Sequence, residues 1–405
     1  MSTIQPSQRG ATAPASPIRR LAALADAAAE RGVKVYHLNI GQPDIQTSKQ
    51  MLDAYRDFDQ SVIEYAPSDG FIPFRQALAD YYHRLLGNQM VTADDIVVTT
   101  GGSEALLFTF AATCDPGDHV LVCEPFYTNY DGFAHILSIK TTAVTTTAED
   151  GYRIDIDRVK DAITDRTRAI TIPSPGNPTG LVLGQDELQE LVDLCRERNI
   201  FYISDEVYRD YVYNQPEGSK APSSLSCHGN LEHVVVIDSV SKRYSACGSR
   251  IGWLVTMNKA VRKAALCYGQ ARLSPATVDQ YASMAALQTP ESYFTEARNE
   301  YMKRRDVLVE GLRGIGVKCT KPDGAFYLAA QLPVDDAEDF CRFLLNDFSL
   351  DGETVMLAPL SGFYATEGMG MNEVRIAYVL DVDKMKRCIE ILEAGFVAYK
   401  TKIHS

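Results

Sequence analysis

Lys242 follows the apolar run His233 to Asp238 by way of a short polar stretch, Ser239-Val240-Ser241. An amine held in such a place can form an imine with an aldehyde, and once freed it can serve as a general base. A lysine standing alone is ordinarily a solvated surface residue, but this one has company. Ser239 and Ser241 precede it, Arg250 follows it, and Ser103 opens a helical stretch directly after Gly101-Gly102. Helix N-terminal amides, hydroxyls and a guanidinium acting together hold a phosphate well. Asp205 closes a second apolar run, where a carboxylate is costly unless something cationic meets it. Asn177-Pro178-Thr179-Gly180 forms a polar turn after a third. These residue types describe covalent chemistry on a carbonyl, beside an anion cup and a buried acid.

The elements that must position them follow from the apolar pattern. Strands are predicted at Ile96 to Thr99, His119 to Cys123, Thr141 to Val144, Arg168 to Ile172, Phe201 to Ser204, His233 to Asp238 and Gly252 to Thr256. Helical stretches such as Ser103 to Thr113 and Gln185 to Arg198 fall between them. This alternation predicts an α/β domain with a mainly parallel seven-stranded sheet between helices, whose ligands bind outside the carboxyl ends of the strands. After about Thr289 the texture changes to a long charged helix, Glu291 to Leu312, then short strands and two further helices, the mark of a smaller α+β domain. At the other end, Met1 to Pro17 reads as a flexible arm. A helix from Ile18 to Arg31 follows, with Ser16 and Pro17 as cap and first residue and Gly32 as stop, then a strand from Val33 to Leu38. Residues 1–48 are expected to pack with the small domain, 49–290 to form the large one, and 291–405 the small one.

A chain of 405 residues is too long for one ordinary core, which supports two domains and a cleft between them. Its formal charge of −13 opposes the phosphate-driven attraction on which nucleic-acid and anionic-membrane binding rely, so neither partner is expected. No apolar run is long enough to span a bilayer, and residues 1–17 lack the layout of a secretory signal, so a cytoplasmic location is expected. The nine cysteines are odd in number and form no CxxC pair, and the seven histidines show no ligand spacing, so no metal is expected.

Taken in order, Gly41-Gln42-Pro43-Asp44, Pro125-Phe126-Tyr127, Asn177-Pro178-Thr179-Gly180, Asp205-Glu206-Val207-Tyr208, Ser239-Val240-Ser241-Lys242, Arg250, Gly324-Ala325-Phe326-Tyr327 and Val374-Arg375-Ile376-Ala377 resemble class I aminotransferases of fold type I, the aspartate aminotransferase superfamily. The wording around Lys242 and of Ser361-Gly362-Phe363-Tyr364 resembles bacterial aspartate aminotransferase-like members. The resemblance spans nearly the whole chain and implies pyridoxal 5′-phosphate as cofactor, carried by Lys242 as a Schiff base. It implies that Gly102, Ser103, Ser239 and Arg250 cup the phosphate, joined by Tyr65 from a neighbouring subunit, so that the active unit is a homodimer with shared sites. It further implies that Asp205 meets the ring nitrogen, Tyr208 and Asn177 the ring oxygen, and Tyr127 the ring face. Arg375 would clamp the substrate α-carboxylate, with Gly41 closing over it.

For the far end of the substrate the sequence offers Arg272, before Leu273-Ser274-Pro275, with Arg243 competing. One branch of the family carries a lysine directly after the Gly-Gly pair for a second substrate carboxylate, and Ser103 stands there instead. The implied activity is transfer of the amino group of an L-amino acid, aspartate first, to a 2-oxo acid such as 2-oxoglutarate. Aromatic or alanine aminotransferases, and elimination, replacement or cyclisation enzymes on the same fold, some acting on S-adenosylmethionine, are the alternatives.

Overall fold

Neighbouring residues of the central strands part to opposite faces, and that period of two builds the large sheet. In the computed structural model, which describes residues 4–216 and 218–403, a short β1 (Lys34–His37) precedes seven strands: β2 (Ile96–Thr99), β3 (His119–Glu124), β4 (Lys140–Thr145), β5 (Thr167–Pro173), β6 (Phe201–Asp205), β7 (Val234–Ser239) and β8 (Gly252–Thr256). Val98, Ile170, Tyr202, Val236 and Trp253 enter the core on one face. Val97, Ala169, Ile203, Val235 and Leu254 enter the core on the other. Every residue of β2, β7 and β8 is buried, because helices cover both faces.

The strand order is β2-β8-β7-β6-β5-β3-β4. All pairings are parallel except those of β8, which runs antiparallel to both neighbours. The register sets Pro173 beside Asp205 and Asp205 beside Ile237. The chain leaving β5, β6 and β7 therefore emerges along one edge, which brings Asn177, Asp205 and Lys242 together.

Glycine at two positions lets the helix after β2 start against β8. Gly101 has φ of 74°, and a Cβ on Gly252 would lie 2.5 Å from the Gly101–Gly102 peptide. The helix Gly101–Thr113 thus points its N-terminus at the same edge.

Beyond the long helix Glu291–Gly314 lie β9 (Lys318–Cys319), β10 (Tyr327–Gln331), β11 (Glu353–Met356), β12 (Ala358–Pro359) and β13 (Glu373–Ala377). The sheet β12-β13-β10-β9 carries Arg375 opposite Ala329 and Ala358, small residues that leave room for it. β1 pairs in parallel with β11, Lys34 beside Glu353, and Leu21, Ala25 and Leu38 share one apolar core with Leu312, Val355 and Ile391.

Two expectations near the N-terminus need correction. The helix begins at Ala22 rather than Ile18, because Pro17 and Ile18 are drawn off by tertiary contacts: Pro17 packs on Gly362, and the Ile18 carbonyl accepts a hydrogen bond from Asn39 Nδ2 at 2.9 Å. Within the supposed flexible arm, Gln8–Ala11 form one helical turn capped by Ser7, and Arg9 donates to Ser138 Oγ at 2.7 Å.

Candidate active site

A cavity of about 550 Å³ opens at the edge where these strands end, lined by Gly41, Gly102, Ser103, Tyr127, Asn177, Asp205, Tyr208, Ser239, Lys242 and Arg250. A smaller one adjoins it and adds Arg375 and Tyr327.

Lys242 sits on a one-turn helix, Val240–Arg243, rather than in a loop, since Ser239 caps the turn by accepting from Ser241 N at 3.0 Å. Its Nζ donates to the Gly41 carbonyl at 2.7 Å and lies 3.7 Å from Cys247 Sγ. Tyr211 Oη fixes the backbone by donating to the Lys242 carbonyl at 2.9 Å.

Asp205 is buried at the end of β6. Its Oδ2 accepts from Tyr130 Oη at 2.8 Å, while Oδ1 has no partner among the described residues. Burial pushes the carboxyl up to about 6, against the Tyr130 and Val207 hydrogen bonds that favour the ionised form. Tyr130 escaped the sequence reading; the available signal was its place three residues after Tyr127 on an otherwise apolar helix face, where a phenol needs a partner. The two rings meet edge to face, centroids 5.5 Å apart at 86°.

On the other side of the cavity, Arg250 is exposed and holds a left-handed φ of 55°, with Nη1 donating to the Cys247 carbonyl at 3.0 Å. A Cβ on Gly101 would lie 2.5 Å from Arg250 Nη2, so only glycine leaves the guanidinium its place over the helix N-terminus. Ser239 Oγ lies 2.8 Å from Ser241 Oγ.

Arg375 is wholly buried. Nη1 donates to Asn177 Oδ1 at 3.0 Å, Nη2 donates to the Asn39 carbonyl, and Nε has no partner among the described residues. The guanidinium faces the Tyr327 ring at 4.6 Å. Burial presses its pKa down, with no carboxylate opposing. Tyr208 and Tyr327 share a hydrogen bond at 2.9 Å, and burial keeps the Tyr208 phenol protonated.

Neither residue proposed for the far end of the substrate lines either cavity. Arg272 Nε lies 3.3 Å from Glu104 Oε1, and its Nη2 donates to the Ser68 carbonyl at 3.2 Å. Arg243 is buried in an ion cluster: it pairs with Asp210 and with Asp238 at 2.7 Å, Arg209 bridges Glu206 and Asp238, and Lys220 meets Asp210 at 2.8 Å. Tyr65 stands apart, 81% exposed.

The profile of aminotransferase class I and II matches residues 33–392. The chain belongs to this family. A relative from Thermus aquaticus, a probable aspartate/prephenate aminotransferase, is 32% identical over 365 residues, 89% of this chain and 91% of that one. Among solved structures, a single mutant of Thermus thermophilus aspartate aminotransferase superposes with a TM-score of 0.88 at 30% identity, covering 97% of this chain and 100% of the other. An alanine aminotransferase from Pyrococcus furiosus reaches 0.88 at 30% identity, covering 96% and 99%.

Class I aminotransferases carry pyridoxal 5′-phosphate, and this aminotransferase has the residues to hold it. The orphaned Asp205 Oδ1 suits a protonated ring nitrogen, the Gly101 and Arg250 cradle suits the phosphate, and Lys242 suits the aldehyde. Tyr127 lines the cavity between them.

Proposed function

We propose that this aminotransferase takes the amino group from an L-amino acid, aspartate first, and passes it to a 2-oxo acid such as 2-oxoglutarate. Arg375 carries the reading: a buried guanidinium whose Nε has no partner among the described residues, lining the same cavity as the Lys242 amine, suits an α-carboxylate. When bound, pyridoxal 5′-phosphate supplies an aldehyde for the amino group and a ring that takes up the electron pair left at Cα. Asp205 would accept the ring N–H, Asn177 and Tyr208 would meet the ring oxygen, and Gly102, Ser103, Ser239 and Arg250 would hold the phosphate. Lys242 Nζ would take the Cα proton and deliver it to the carbon that had been the aldehyde's. Gly41, already bonded to Nζ through its carbonyl, closes that side against water.

The remaining parts of the reading have separate support. The exposed Tyr65, on a surface with Val62, Ile63 and Leu273 also exposed, supports a homodimer in which it reaches the neighbouring phosphate. Residues 49–290 would form the large domain, with 1–48 and 291–405 forming a small one, supported by the β1–β11 pairing. Among the described residues no helix is long and apolar enough to cross a membrane. The nine free cysteines support a reducing, cytoplasmic setting.

A neutral donor such as alanine is the second reading, favoured by the commitment of Arg272 and Arg243 to partners outside the cavities. A half-reaction screen decides. Mixed with the holoenzyme, L-aspartate should bleach the absorbance of the aldehyde form, release oxaloacetate, and leave an enzyme that 2-oxoglutarate restores. Bleaching by no amino acid, or bleaching that no 2-oxo acid reverses, overturns the transaminase reading.

A further inference from the structure

We propose that Arg19 reads the second carboxylate of a dicarboxylic substrate and is the specificity-determining side chain of this site. The inference rests on the transaminase reading above and names its substrate class.

Among the described residues, the cations reaching the two adjoining cavities are Arg19, Lys242, Arg250 and Arg375. Lys242 is bonded to Gly41, Arg250 to Cys247, and Arg375 to Asn177 and Asn39. The amine, the phosphate and the α-carboxylate each claim one of these three. Arg19 lines both cavities, and its guanidinium has no hydrogen-bond or ion-pair partner among the described residues. Its neighbour Arg20 is already committed, to Glu338 and to Ser361 Oγ at 3.0 Å. One cation is left over, and it lines both cavities.

The segment carrying Arg19 is fixed rather than loose. Pro17 sits on Gly362, where a Cβ would come within 2.5 Å of the proline ring. Ile18 packs on the cluster that contains Tyr152, Leu360 and Phe363. The Ile18 carbonyl accepts from Asn39 Nδ2 at 2.9 Å, and the Asn39 carbonyl accepts from Arg375 Nη2. Two hydrogen bonds therefore connect the backbone beside Arg19 to the arginine suited to the α-carboxylate, which holds one guanidinium at a set place relative to the other.

Charge favours the same ligand. Among the described residues lining the larger cavity, Asp205 is the sole carboxylate, although the whole chain carries a formal −13. A cavity so enriched in cations concentrates dianions. Because Arg19 is exposed, solvent screens its bond to a carboxylate, which is worth about two- to tenfold in affinity.

The test compares wild-type, Arg19→Met and Arg19→Lys holoenzymes. Two readouts are taken: kcat/KM for L-aspartate and L-alanine, and calorimetric binding of the unreactive pair succinate and butyrate. Arg19→Met should cut kcat/KM for aspartate by about two- to tenfold, chiefly through KM. The rate with alanine, which has no second carboxylate to meet, should fall far less. Succinate should lose its advantage over butyrate, and Arg19→Lys should recover part of both. Unchanged melting temperatures would exclude misfolding as the cause. If Arg19→Met keeps the wild-type preference for aspartate and for succinate, the assignment falls while the transaminase reading stands. A wild-type enzyme that transaminates alanine but neither uses aspartate nor binds succinate overturns the dicarboxylate class and this assignment together.

Discussion

Arg375 Nη1 donates to Asn177 Oδ1 at 3.0 Å, which fixes the Asn177 amide so that Nδ2 is its remaining donor. On the proposed function one side chain would serve two ligands: its oxygen steadies the arginine suited to the substrate, and its nitrogen would meet the cofactor's ring oxygen. Asn177→Ala should raise both the KM for the amino acid and the cofactor dissociation constant. Arg375→Lys, which loses the planar fork, should raise KM by about ten- to a hundredfold and leave cofactor affinity alone. Equilibrium dialysis of the cofactor beside steady-state kinetics checks the split.

Asp205 has its carboxyl pushed up to about 6 by burial. A folded-state pKa above the unfolded value means that the protonated form stabilises the fold below about pH 4, and that this contribution is lost as pH rises through about 6. Asp205→Asn imitates the protonated form. In cofactor-free protein it should raise stability above pH 6, by on the order of 1–3 kcal/mol, and do nothing below pH 4. In the presence of cofactor it should abolish most turnover. Thermal melts across pH and a rate assay read the two effects separately.

The cluster behind Lys242 behaves oppositely. Burial would raise the Asp210 carboxyl, but Arg243 and Lys220 outweigh it and hold the group well below the ordinary carboxylate range. Its stabilisation is present above about pH 4 and is lost as pH falls below that. Asp210→Asn leaves Arg243 under-compensated and should cost about 3–5 kcal/mol at pH 7, a gap that narrows only in acid. Urea denaturation at pH 7 and pH 3 measures it.

Tyr65 is 81% exposed. If it completes a neighbouring phosphate cup, mixing Lys242→Ala subunits with Tyr65→Phe subunits rebuilds one intact site per hybrid dimer. Recovery of about a quarter of wild-type activity is expected from random pairing. Fully active monomers in a sedimentation-checked assay would end the shared-site reading.

Much of this was legible in the residues, and the reasons differ by element. β2 and β8 matched to the residue because both are short apolar runs bounded by polar turns. The antiparallel course of β8 was invisible, since a strand buried on both faces reads the same in either direction. The late helix start at Ala22 and the turn bearing Lys242 depended on partners far off in the chain or on a cap, which periodicity does not carry. For the site, glycine, lysine and aspartate at strand ends pointed to the cavity. Charge alone could not say which arginine was free: Arg272 and Arg243 found carboxylates, while Arg19 lay inside what read as a helix.

The parallel pairing of β1 with β11 sets a timetable for synthesis. Lys34 Nζ donates to Glu353 Oε1 across a separation of 319 residues. At about 5–20 residues per second, the ribosome needs roughly 15–65 s to make the partner of a strand it has already released. Throughout that interval the nascent N-terminus, with apolar Leu21, Ala25 and Leu38, has no native seat and depends on a chaperone or on staying extended. A chain cut short before Glu353 would therefore leave β1 without its partner strand.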